Sequence, residues 1–228
     1  MANNEVVKKS KGALAWALWD WAEQPFPTIF QTFIFPIYIT STAFGPEADT
    51  SRALGLATTL AGIAVALAAP VFGRRSDELG KRKFWLMMNT FILAGVMASL
   101  FFIAPSPSML WLGLIIFSFG GFIQEIAFIN YYAMLKSVTT EKNIGRVSGY
   151  AWALGYTGGI ILLCVSLFGF ILPDTVFGEP SENSMSVRIV FLFAAAWTLI
   201  FSIPMLLNVP EIARKDGGRG RESVLQSY

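Results

Sequence analysis

The sequence predicts an all-α integral membrane protein folded as a bundle of six transmembrane helices, and three observations predict it. Six apolar runs, at about 13–40, 53–72, 84–104, 109–134, 147–172 and 187–207, each approach or exceed the ~20 residues that cross a bilayer core as helix. Fifteen of the 17 Lys and Arg residues fall in alternate segments: before the first run, between the second and third, between the fourth and fifth, and after the sixth. Only Arg52 and Arg188 lie in the other connections, and this bias places both ends in the cytoplasm. A composition of 54% hydrophobic and 14% charged residues would leave a soluble domain too little polar surface to cover itself.

The first run follows a polar lead-in, residues 1–12, and differs from the others in carrying two acids and two prolines. Asp20 and Glu23, three apart, share a helix face. Pro25 and Pro27 lack amide protons, and their rings clash with the carbonyls of Trp21 and Glu23, which lose their helical partners. An interrupted helix is therefore expected at this point, its freed backbone buried in protein or lining a wet cavity, as at transporter binding sites. Trp16, Trp19, Trp21, Phe26 and Phe30 surround the break as packing groups or as a clamp for an apolar or cationic solute, and Thr28, Gln31 and Thr32 offer hydrogen bonds one turn on.

Outside connections are expected at about 41–52 and 173–186, with Glu47, Asp49, Asp174, Glu179 and Glu182, and at the tight Pro105–Ser108 turn. The second and third runs are joined by Gly73-Arg74-Arg75-Ser76-Asp77-Glu78-Leu79-Gly80-Lys81-Arg82-Lys83, a cytoplasmic turn in which the glycines relax the backbone and Asp77 can cap a helix or pair with a cation. The fourth run contains Glu125. In the fifth, Ala151, Gly155 and Gly159 recur at spacing four and, with Gly149 and Gly158, read as a smooth ridge for close helix packing. The membrane domain is expected to span 13–209, and 210–228 reads as a cytoplasmic tail or the start of a central linker.

A carboxylate at the bilayer centre costs about 2.5–3.5 kcal/mol on insertion scales, so an acid inside a span is retained for a pathway, a partner or a proton. No Lys or Arg lies within a span to neutralise Asp20, Glu23 or Glu125. At ~1.5 Å per residue, Asp20 lies roughly 10 Å, and Glu23 and Glu125 roughly 15 Å, from the cytoplasmic ends of their helices, so the three share one layer. Acids held this way can bind and release a proton as a cavity opens to each side. The bland alternative has them facing headgroups, or protonated and bonded to Gln24, Gln124 or Asn130. Gln31 completes the set of candidate proton-coupling or substrate-binding residues.

Other function classes lose ground. The net charge of +2 comes from topology signals, and no basic stretch interleaved with aromatics offers a nucleic-acid groove. With no histidine and one cysteine, Cys164, no metal cluster, disulfide or cofactor is expected. The absence of a nucleophile with a base argues against an enzyme, and no filter sequence points to a channel.

The loop after the second run resembles the signature between the second and third helices of the major facilitator superfamily: Gly73, Asp77, Gly80, Lys81 and Arg82 match, while Arg75 and Glu78 depart. The resemblance implies a cytoplasmic latch that holds one state of a transport cycle. Gly155-Tyr156-Thr157-Gly158-Gly159 is similar to a fifth-helix signature of exporters, without its proline. Leu18-Trp19-Asp20-Trp21-Ala22, Phe33-Ile34-Phe35-Pro36-Ile37-Tyr38 and Asn143-Ile144-Gly145-Arg146-Val147-Ser148-Gly149 resemble the vacuole-effluxer-like branch, bacterial relatives of fungal permeases that export amino acids from the vacuole. Glu23 stands where that branch has an amide, Lys136 where it has a proline, and the fourth helix lacks the basic residue of many proton-coupled relatives.

Together these imply the amino-terminal half of a twelve-helix secondary transporter in a bacterial inner membrane. It would export small organic solutes, amino acids among them, with protons as the coupling ion. The partners expected are the lipid bilayer, a small-molecule substrate and a second six-helix half, whether a carboxy-terminal half, a separate chain or another copy. The rival expectation is a non-transporting remnant or an accessory subunit.

Overall fold

The computed structural model describes residues 2–172 and 184–211, without the side chains of residues 2–10 and 77–79. Asp174, Glu179, Glu182 and the tail beyond Glu211 lie outside the described residues. The helices are α1 (Ala2–Glu23), α2 (Ile34–Ile39), α3 (Glu47–Leu79), α4 (Arg82–Leu100), α5 (Leu110–Val138), α6 (Ile144–Ser166) and α7 (Met185–Asn208), with π-helical segments at Phe26–Phe33 and Leu167–Ile171. Among the described residues, α3 to α7 are long and apolar enough to cross a membrane unaided. The chain is a multi-pass membrane protein.

The first expected span is assembled from α1, the π-helical segment and α2. The α-helix is interrupted at the prolines as expected: α1 ends at Glu23, and the winding is π-helical from Phe26 to Phe33. The Thr28 amide still reaches the Gln24 carbonyl at 3.1 Å, and the Thr32 hydroxyl donates to the Pro27 carbonyl at 2.7 Å. The Trp21 carbonyl, orphaned by Pro25, accepts from the indole Nε1 of Trp197 on α7 at 3.1 Å. The two indoles stack with centroids 5.5 Å apart.

Helix α3 outruns its apolar stretch at both ends, so the outer connection expected at 41–52 is shorter. Glu47 and Asp49 lie in its first turn, where carboxylates favour the positive end of the helix dipole. At its other end Gly80 adopts φ 61°, a left-handed cap that glycine reaches without a Cβ clash. Lys81 follows, and Arg82 opens α4.

α1 lies against α6 and α7, α4 against α5 and α7, and α3 against α5. Two cores result. In one, Phe26, Phe30, Phe35, Phe117 and Phe191 interlock, with Phe35 5.0 Å from Phe117 and Phe30 5.0 Å from Phe191. In the other, Trp16 stacks on Tyr131 at 4.2 Å with the planes 1° apart, and its indole donates to the Tyr131 carbonyl at 2.9 Å. Trp19 donates to the Thr90 hydroxyl at 3.1 Å. Trp16, Trp19, Phe26 and Phe30 are thus sealed packing groups, and the solute-clamp alternative fails for them because no face is open.

Both ends of α4 are held by the flanks of α7. At the C-terminal end of α4, Arg188 Nε donates to the Phe101 carbonyl at 2.5 Å, and its guanidinium lies 4.9 Å from the Phe101 ring centroid. At the N-terminal end, the Glu211 carboxylate accepts from the Lys83 and Phe84 amides at 2.9 and 3.1 Å. A cation at the helix C-terminus and an anion at its N-terminus both complement the dipole.

Candidate functional site

The site is built where α1 meets α5 and α6. Ala151, Gly155, Gly158 and Gly159 are buried on one face of α6, and α1 lies down on them. A methyl group at Gly155 would come within 2.9 Å of Gln24 Nε2 and 3.0 Å of the Asp20 carboxyl carbon. At Gly158 it would meet the Trp21 ring at 2.9 Å, and at Gly159 the Thr28 hydroxyl at 2.7 Å. Small residues are required here because side chains of α1 and of the segment that follows it occupy the space a Cβ would need. Gly149 faces open space and is not part of this contact.

Against that ridge sits Asp20, 7% exposed and without a hydrogen-bond partner among the described residues. Glu23, one turn on, is sealed at 1%. Its Oε1 accepts from the Gln124 amide, and Gln124 Oε1 in turn accepts from Gln31 Nε2 at 2.9 Å. Gln124 is buried while Gln31 is exposed, so a hydrogen-bonded line runs from the surface of the bundle to a carboxylate deep within it. The second oxygen of Glu23 has no partner. Glu125, next to Gln124 on α5, is exposed, yet its charge and that of Asp20 both act on Glu23. Asp20 and Glu125 thus both lie within electrostatic reach of Glu23.

The remaining candidates divide. Gln24 Oε1 accepts from the Thr28 hydroxyl at 3.4 Å and stays beside Asp20. Asn130 does not join the acids. Its Oδ1 accepts from the Ser76 hydroxyl at 2.6 Å and its amide donates to the Ile126 carbonyl at 3.0 Å, fastening α3 to α5 within the Gly73–Arg82 segment. That position follows from its distance of six residues from Gln124, which turns it to another face of α5. Gly73 lies close to Ile129 on α5, and the side chain of Asp77 lies outside those described.

Two groups that the sequence reading passed over belong to the site. The hydroxyl of Tyr131 is buried with no hydrogen-bond partner, within electrostatic reach of Asp20 and Glu23. Tyr132, largely exposed, lies within reach of all three acids and of Tyr156 on α6. The signal was present: Gln124 to Tyr131 and Glu125 to Tyr132 are each seven residues apart, two turns along one helix face. Among the described residues, no three acids, cysteines or histidines gather as a metal site.

Comparison with known proteins agrees with this picture. The family model described as Major Facilitator Superfamily matches residues 26–226. The uncharacterized MFS-type transporter YxiO of Bacillus subtilis (strain 168) is 34% identical over 204 residues, which cover 86% of this chain and 46% of that protein. The chain therefore spans about half the length of the curated relative it matches. No solved structure matches it.

Proposed function

Because the chain belongs to the major facilitator superfamily, whose members are transporters rather than enzymes, we propose that it forms the amino-terminal six-helix half of a secondary transporter, working by alternating access on a small organic solute. The second half, whether a carboxy-terminal half, a separate chain or another copy, packs against it in the membrane, and the solute passes between them. Protons are the coupling ion, held by Asp20, Glu23 and Glu125. Export of amino acids from a bacterial cell, with both termini in the cytoplasm, follows from the branch resemblance and the charge bias, and the Gly73–Arg82 loop serves as the cytoplasmic latch.

The observation that carries this reading is the buried Glu23, joined through Gln124 to the exposed Gln31 in a layer free of basic side chains. A carboxylate so enclosed exchanges its proton only when a path to one side opens, which is what coupling requires. The test is a transport-competent assembly in proteoliposomes under an imposed pH gradient. Combining Asp20→Asn, Glu23→Gln and Glu125→Gln is expected to abolish gradient-driven flux. Undiminished flux in the triple variant would overturn proton coupling through these residues.

A further inference from the structure

In the line from Glu23 through Gln124 to Gln31, the direction of every hydrogen bond follows from the charge at one end. An ionised carboxylate can only accept, so Gln124 must turn its Nε2 to Glu23 Oε1. That leaves Gln124 Oε1 to accept from Gln31 Nε2 at 2.9 Å. Gln31 makes no other hydrogen bond among the described residues, and its side-chain oxygen is the free end of the line. Gln31 is exposed, whereas Gln124 and Glu23 are sealed. An exposed amide well inside a span faces water or a partner rather than lipid tails, which cannot bond it. Beside it, a methyl group at Gly121 on α5 would lie 3.9 Å from Gln31 Nε2, an ordinary contact distance, so the glycine leaves the amide room to turn.

A proton on Glu23 reverses the requirement. Its Oε2 is buried without a partner, and a hydroxyl there would be an orphaned donor, a rarer state in proteins than an under-satisfied carbonyl. The proton is better placed on Oε1, where Gln124 is already in contact to accept it. The oxygen and nitrogen of an amide are nearly alike in size, so half a turn about its terminal bond presents Gln124 Oε1 to Glu23 without repacking. Gln124 Nε2 then meets Gln31, which turns likewise to accept, and the free end of Gln31 becomes an N–H donor.

We infer that Gln31 and Gln124 form an amide relay that carries the protonation state of buried Glu23 to the surface of the bundle, where Gln31 offers an acceptor while Glu23 is ionised and a donor once it is protonated. The inference rests on the reading of Glu23 as a coupling carboxylate and adds the means by which a solute senses its proton. A solute N–H or O–H bonded to Gln31 holds the ionised arrangement, and by reciprocity a proton on Glu23 dismisses that group. Proton and solute thus exclude one another through two amides, without touching. The other titratable groups within electrostatic reach of Glu23 are Asp20 on α1 and Glu125, Tyr131 and Tyr132 on α5. None of them hydrogen-bonds to Glu23 or to either relay glutamine among the described residues, so they tune how readily the proton is taken up and give the amides no alternative partner.

The test is magnetic resonance of the full chain in lipid nanodiscs, with heavy nitrogen in its glutamine side-chain amides, across a pH series. The glutamines are Gln24, Gln31, Gln124 and Gln226, and single substitutions assign their signals. Gln31 and Gln124 are expected to shift in one step with a common midpoint. That step should vanish in Glu23→Gln, and should persist with a moved midpoint in Glu125→Gln, at an exposed position. Gln124→Met should remove it from Gln31; because Gln124 is buried and this variant could unfold, the wild type and Glu23→Gln are decisive by themselves.

Signals of Gln31 and Gln124 that ignore pH, unequal midpoints, or a Gln31 step that survives Glu23→Gln or a folded Gln124→Met would overturn the inference. The transporter reading fails separately. A working relay with no gradient-driven flux in any assembly refutes proton-coupled transport alone, and flux that needs the three carboxylates while Gln31 ignores pH refutes the relay alone.

Discussion

Glu23 and Gln124 form the most enclosed polar contact of the site, and their energetics are open to measurement. Removing one partner leaves the other buried and unsatisfied, at a cost of about 1–3 kcal/mol. Gln124→Leu should therefore lower thermal stability by that amount in the wild-type background and by much less in a Glu23→Leu background, as a double-mutant cycle of melting temperatures would show. Gly120 makes a steric counterpart. A Cβ there would lie 2.6 Å from Phe26 and 2.9 Å from Val96, and Phe26 is fixed between Phe30 and Phe117. Gly120→Ala is expected to destabilise by about 1–3 kcal/mol through overpacking, whereas Gly62→Ala, which meets nothing within 4 Å, should be neutral or mildly stabilising in the same melting experiment.

Single elements show how local chemistry was legible and where it stopped. The missing donor at Pro25 was readable from the sequence; its replacement by the indole of Trp197 was not, because residues 176 apart meet only through the packing of α7 on α1. Trp197→Phe keeps the ring and removes the N–H, so it should cost about 1 kcal/mol in thermal unfolding, against almost nothing if the π winding alone satisfied the break. The glycine ridge on α6 was likewise legible as a packing surface, but not that Asp20 and Gln24 would be what it receives. At the ends of α4, Glu211 and Arg188 act on one helix from opposite sides of the membrane. Glu211→Gln and Arg188→Gln should each cost about 0.5–1 kcal/mol. At ~1.5 Å per residue the two sites are roughly 28 Å apart, so their effects on chemical unfolding should add.

At the scale of the whole molecule, six apolar runs and alternating basic segments made the membrane fold readable, since hydropathy and charge placement are local properties. Which faces meet was not, because in lipid an apolar surface packs against a neighbouring helix or a lipid chain with little to distinguish them. Helix α3 illustrates this: Leu56, Leu60, Ile63 and Leu67 are exposed along it, and Gly55 and Gly62 open onto empty space. If a second half covers the small-residue side, a maleimide probe should label Gly62→Cys readily in this chain alone and slowly in the transport-competent assembly; equal rates would place the partner elsewhere. The tie between α4 and α7 has a mechanical consequence. Two antiparallel rods pinned at both tips cannot slide past one another unless both pins break, so they must travel as one strut. The seam between α1 and α6, made of glycines pressed against side chains, has no such pins among the described residues and is where shear within this half is expected to concentrate.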